Sequence, residues 1–297
     1  MKRKWIFIAA LIVSIGLMGC NNPVNNDDTL KGSVAQEVSE KTTENTNENV
    51  VTPEPIETPE PPKVSSIDFT NIDVCFNETA ETALPVTLTV VSENDNKISQ
   101  IKDWFVENEL FLPMLSFEWE DMLTPAEDAP TINWELFFYG TAFYDDNYIY
   151  DWTSSELNIY DRNSNQLLHT ISYQMDQWYL MGNCAYLRDG ILYIGCLYNG
   201  YAMPDTCYIL AYDIENEKVL WRSEDQTYNT MNFIVKDDVI ICGYGFTAEK
   251  DYIYQLDMNT GKVISKTELK KMPELLVEKD GQLYVHTYSY DYVLEME

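Results

Sequence analysis

From about residue 141 to the end of the chain, short apolar runs alternate with acidic or glycine-bearing turns, and one frame recurs four times. An acidic turn is followed by a strand-like run, a loop, a second run ending in an acid, another turn and a third run. The first copy is Asp145-Asp146-Asn147 then Tyr148-Ile149-Tyr150, Leu157 to Asp161, and Gln166 to Ile171. The second is Asp189-Gly190 then Ile191 to Gly195, Tyr208 to Asp213, and Lys218 to Trp221. The third is Asp237-Asp238 then Val239 to Gly243, Tyr252 to Asp257, and Asn259 to Ile264. The fourth is Asp280-Gly281 then Gln282 to His286, and Tyr290 to Met296, where the chain stops. Copies are preceded by a further apolar segment, such as Asn183 to Leu187 or Met231 to Val235. The runs are rich in Tyr, Ile, Val and Leu and are bounded by Asp, Asn and Gly, which is strand-and-turn chemistry.

Four short strands repeating at roughly 45 residues predict a β-propeller blade. The expected fold is all-β, a propeller-like array of about four to five four-stranded blades over 141–297, with a short N-terminal strand/helix segment over 64–140 that closes or caps it. The last copy lacks its outer strand, so an N-terminal strand, within Val64–Phe69 or Val86–Val91, is expected to pair with Tyr290–Met296 and remove an open edge. Leu84 to Val91 alternates like a strand. Ile98, Ile101 and Phe105 fall on one helical face, with Asn94 and Asp95 as candidate caps.

Asp213 with Lys218-Val219-Leu220-Trp221, and Asp257 with Gly261-Lys262-Val263, resemble the quinoprotein-like (pyrroloquinoline-quinone-type) propeller repeat, in which a strand ends in Asp, a Gly turn follows, and the next strand reads Lys-Val-hydrophobic-Trp. Glu217 stands where the turn Gly is expected, Ser265 where the Trp is expected, and the first copy keeps little beyond Asp161. The resemblance implies architecture; such repeats serve dehydrogenases and scaffolds alike.

The N-terminus reads differently. Lys2, Arg3 and Lys4 precede an apolar run from Trp5 to Gly16, too short to span a membrane and of signal-peptide length. Leu17-Met18-Gly19-Cys20 resembles the bacterial lipobox, which implies cleavage after residue 19 and a diacylglycerol on Cys20. Residues 20–63 are Asn, Thr, Glu, Asp and Pro without hydrophobic periodicity, the composition of a disordered, acidic, Thr/Glu/Pro-rich tether. The expected location is the outer, extracytoplasmic face of a cell membrane, with the lipid bilayer as one partner through Cys20.

A formal charge of −30 excludes a basic nucleic-acid footprint. Only His169 and His286 are present, and the spacing offers no zinc motif, phosphate loop or nucleophile–base order. No catalytic residue, metal site or cofactor is therefore assigned. Among the five cysteines after Cys20, Cys196 ends one run and Cys207 begins the next, which allows a hairpin disulfide; two thiols on neighbouring strands remain the alternative. The loops between second and third strands carry aromatic residues: Trp152, Tyr201, Phe246, Tyr288 and Tyr290. Two readings stay open, a recognition rim and filler between blades. The leading functional reading is a non-catalytic, lipid-anchored propeller that binds a protein or cell-wall glycan partner through that rim. The alternative is an extracellular glycan-acting hydrolase using paired carboxylates.

Overall fold

The computed structural model describes residues 61–69, 72–96, 101–110, 114–115, 142–153, 155–174, 181–197, 203–246 and 249–297. Cys20, the leader, most of the tether and Tyr201 lie outside the described residues.

The repeat folds as read: an all-β, propeller-like array of antiparallel sheets. The second blade is β8 (Met181–Arg188), β9 (Ile191–Leu197), β10 (Tyr208–Asp213) and β11 (Lys218–Arg222). The third is β12 (Ile234–Lys236), β13 (Val239–Tyr244), β14 (Asp251–Asp257) and β15 (Val263–Leu269). The first blade comprises β4 (Ala142–Tyr144), β5 (Tyr148–Trp152), β6 (Glu156–Asp161) and β7 (Leu167–Gln174), with the two-residue β3 (Met114–Leu115) paired to the inner side of β4. The fourth comprises β16 (Pro273–Lys279), β17 (Gln282–Thr287), β18 (Tyr290–Met296) and an N-terminal strand, β2 (Leu88–Asp95).

The repeated acids are turn caps. Asp161, Asp213 and Asp257 end the third strands, and each Oδ1 accepts a main-chain N–H two residues on, at 3.0, 3.0 and 2.9 Å. Four residues past each acid the chain turns left-handed: φ is 59° at Asn165, 51° at Glu217 and 81° at Gly261. Glu217 thus adopts the conformation that glycine takes elsewhere. Gly261 has a second reason to be glycine, because a Cβ there would lie 2.6 Å from the Trp221 ring. Trp221 is buried against that turn of the following blade, and its Nε1 donates to the Met258 carbonyl at 3.0 Å. The two departures from the repeat then have a common cause. His169 occupies the Trp position of the first blade and faces Glu217 rather than Gly in the second; Ser265 occupies it in the third, and the fourth blade has no third-to-fourth-strand turn to receive a ring, because its outer strand is β2.

β2 replaces the missing outer strand, pairing antiparallel with β18 from Leu88↔Met296 to Asp95↔Tyr290. It reproduces even the irregularity between third and fourth strands that the other blades show, with a register shift at Val293/Leu294 matching those at Ile159/Tyr160, Ala211/Tyr212 and Gln255/Leu256. Of the two N-terminal candidates, the Val86–Val91 region makes this pairing. The other, β1 (Lys63–Asp68), runs parallel to β7 as an added outer strand of the first blade. Between them the chain follows the outer edges of the middle blades. Cys75 bridges Arg222, Asn77 N donates to the Thr260 carbonyl at 3.1 Å, and the Gln255 amide holds both Val86 N and O at 2.8 Å. The N-terminal segment is therefore a belt touching all four blades.

That belt explains two shifts from the expected elements. Pro85 lacks an N–H and Val86 is engaged by Gln255, so the strand begins at Leu88 and runs through Asn94 and Asp95, which pair with Asp291 and Tyr290 instead of capping a helix. The helix α1 (Ile101–Glu107) starts beyond them. Its Trp104 and Phe105, with Leu110, join Phe143 of the first blade and Leu275 and Val277 of the fourth in one cluster. The other seams are sheet-on-sheet cores.

Candidate functional site

Strands β4, β8, β12 and β16 contribute to the walls of a cavity of about 490 Å³. Phe143, Ala185, Phe233, Val235 and Val277 are among its walls, and Asp145, Asp146, Arg162 and Glu278 stand at its lining polar positions. Most of these polar groups are already committed. Asp145 Oδ1 accepts from Asn147 N (2.7 Å) and Tyr148 N (2.8 Å), and Oδ2 accepts from Tyr150 Oη at 2.5 Å. Tyr150 Oη also accepts Leu187 N at 2.7 Å, tying the first blade to the second; burial and the Asp145 charge push its phenol far above the ordinary range. Asn232 makes the matching tie from third blade to fourth, donating to the Leu276 carbonyl and accepting Leu276 N. Arg162 donates to the Asp145 carbonyl at 2.8 Å and lies 4.5 Å from the Tyr144 ring centroid. Glu278 is paired with Lys236 at 3.1 Å. Two of the cavity carboxylates, Asp145 and Glu278, are thus engaged in a turn, a seam and an ion pair.

The structure divides the five aromatic residues. Trp152 is 5 % exposed, packed in the seam between the first two blades with its ring centroid 5.6 Å from that of Tyr173. It is core, not rim. The turn after it is tight: Thr153 N donates to the Glu156 carbonyl at 2.9 Å and Thr153 Oγ1 accepts Glu156 N at 3.0 Å, which leaves Trp152 inside the strand. Thr287 builds the same turn in the fourth blade, where its Oγ1 accepts Tyr290 N at 3.0 Å. The tip residue there is Tyr288, 61 % exposed. Tyr290 is half-buried under Lys270, whose Nζ is 5.1 Å from the ring centroid, and Phe246 is half-buried at the corresponding end of the third blade.

The remaining exposed surface was not legible as a site in the sequence. Among the described residues the exposed large hydrophobics are Val64, Val74, Leu84, Val90, Val91 and Tyr288. All but Tyr288 belong to the belt, and Tyr288 neighbours its end, since Asn96 N donates to the Ser289 carbonyl at 3.2 Å. Leu84 is 87 %, Val90 43 % and Val91 50 % exposed. They are strung along the outer strand of the fourth blade: Leu84 precedes the start of β2, Val90 and Val91 lie at its middle, and Tyr288 is beside its far end.

Both histidines are structural. His286 is buried, its Nδ1 2.7 Å from Asp291 Oδ1 and its ring 5.1 Å from Trp104. His169 is held low by burial and by the Lys63 charge. Cys196 and Cys207 stand as two thiols, not the disulfide that their spacing allows. The register sets Tyr208 opposite Cys196, and Cys207 precedes the strand in a left-handed conformation, φ 61°. Burial raises the Cys196 thiol far above its ordinary range. Among the described residues no group of His, Cys, Asp and Glu is arranged to hold a metal ion.

No known family's sequence profile matches the chain, and no curated protein does either. Several solved structures are similar over about half of it. The computationally designed Ika4 protein is 14 % identical, with a TM-score of 0.34, over 52 % of this chain and 88 % of its own. BamB from Moraxella catarrhalis is 11 % identical, with a TM-score of 0.26, over 52 % and 71 %. A europium-containing methanol dehydrogenase is 14 % identical, with a TM-score of 0.31, over 43 % of this chain and 24 % of the enzyme.

Proposed function

We propose that this protein is a non-catalytic propeller, lipid-anchored through Cys20 at the extracytoplasmic face of a membrane, that binds a protein partner of the cell envelope. The observation that supports the binding role is the adjacent exposed pair Val90 and Val91 on the outer strand of the fourth blade, with exposed Leu84 beyond one end of that strand and Tyr288 beside the other. Apolar side chains scattered singly need no explanation, but an exposed apolar line along a terminal strand suits an interaction surface. This relocates the proposed contact from a ring of five aromatics to the edge of the fourth blade, with Tyr288 and the neighbouring Tyr290 retained from the original set. The non-catalytic reading is supported by the engagement of the cavity carboxylates in turn and seam bonds. Among the described residues no helix is long and apolar enough to cross a membrane, so in this reading attachment falls to the Cys20 lipid.

Mild cross-linking on cells followed by purification of the anchored protein tests the proposal. One stoichiometric protein should be recovered. The pair Tyr288→Ala and Leu84→Ser should weaken its capture at least tenfold without lowering the melting temperature. Undiminished capture contradicts the edge as the contact, and recovery of no stoichiometric protein contradicts the binding role.

A further inference from the structure

We infer that the outer edge of β2 receives an extended segment of the partner protein as a fifth strand of the fourth blade. This rests on the partner-binding reading above and specifies its geometry. The fold itself shows that a blade accepts such a strand: β1 adds to β7 along its whole length, from Lys63↔His169 to Asp68↔Gln174, and buries Ile67. β2 is the terminal strand of its sheet, so its outward main-chain groups offer the same template.

The other outer edges are blunted over more of their length than β2. β11 is bridged at Arg222 by Cys75. β15 has Lys262 just before it paired with Glu78, Lys266 over the Tyr252 ring, and Glu268 paired with Lys250. β2 has one such pair, Glu93 with Lys270, near its end, and no charge from Leu88 to Ser92. The register shift opposite Val293/Leu294 leaves Val91 outside the pairing, so two adjacent valines stay exposed there.

Charge selects the occupant. Asp95 ends the strand beside Glu93, which Lys270 already pairs, Glu295 and Glu297 lie beside its start, and the chain as a whole carries −30. A second copy brings the same acids to the edge and is repelled. The segment that fits is an extended stretch of another protein, β-branched where it lies against Leu88–Ser92 and carrying Lys or Arg at its ends.

Hydrogen–deuterium exchange on the full chain tests this with a short synthetic peptide alternating Val and Lys. The peptide should slow exchange across residues 84–96, and Val90→Lys with Val91→Lys should weaken its binding at least tenfold while the melting temperature stays unchanged. A peptide of equal charge interrupted by proline, and one alternating Val and Glu, should do neither. Unslowed exchange over 84–96, or equal binding of the proline-interrupted peptide, overturns the added strand. Protection accompanied by a doubled particle mass with no peptide present assigns the edge to a second copy and overturns it too. If partner capture on cells persists in the double-lysine variant and is lost only with Tyr288→Ala, the binding role stands and the strand is retired.

Discussion

Asp151 offers the sharpest test of the architecture, because it is a carboxyl group placed where the fold gives it no partner. It lies on β5, 3 % exposed, and its Oδ1 makes no hydrogen bond. Burial alone pushes its carboxyl from an ordinary value of 3.8 up to about 6. A carboxyl whose folded value is raised stabilises the fold fully below its unfolded value and progressively less as pH climbs through the folded one. The protein therefore loses stability from Asp151 between about pH 4 and about pH 6 and stays at the lower level above that. The shift of roughly two units corresponds to up to about 3 kcal/mol. Asp151→Asn removes the charge and keeps the shape and polarity. It should match the parent below about pH 4 and exceed it by up to about 3 kcal/mol at neutral pH, or about 6–12 °C in Tm for a domain of this size. Urea or thermal melts of parent and variant at several pH values read the difference directly. A variant that is less stable at neutral pH, or whose gain is the same at all pH values, would refute the placement of Asp151 as an unpartnered buried acid.

Three further outcomes follow from the packing. Trp152→Ala should cost about 3–5 kcal/mol, as expected for a buried ring, whereas Tyr288→Ala should leave the melting temperature within about 1 °C; equal effects contradict their division into core and surface. Deleting residues 61–96 strips the belt and exposes the β18 edge, so the remainder should aggregate or melt far earlier; a truncation that melts like the parent contradicts the belt. In the native protein Cys75 should be alkylated quickly, while Cys184, buried and pushed up to about 12, and the buried Cys196, Cys207 and Cys242 should react only after unfolding. Failure of Cys196 and Cys207 to react in unfolded, unreduced protein contradicts their being thiols.

What the chain reveals about itself is local. The turn acids, the strand runs and the third-strand Asp with its left-handed follower are written within a few residues of one another, and each blade could be read from them. The need for a closing strand was legible because the fourth copy reads as one strand short of the others. The parallel pairing of β1 with β7 was not, since it joins segments about a hundred residues apart and leaves no local periodicity. The burial of Trp152 was not legible either, because the bonds between Thr153 and Glu156 that close the chain directly after it leave no mark in the hydrophobic pattern. The exposed edge escaped reading for a related reason. Val90 and Val91 look like ordinary strand residues until the register shift removes one of them from the ladder.

Site-specific photo-cross-linking on intact cells tests the binding role most directly. A photoreactive residue placed at Tyr288, and separately at Leu84, should each yield the same single cross-linked protein. The same residue at Glu215, exposed in the β10–β11 turn of the second blade, should yield none. Cross-linking from Glu215 as strong as from positions 288 and 84, or none from any of the three, would contradict the account.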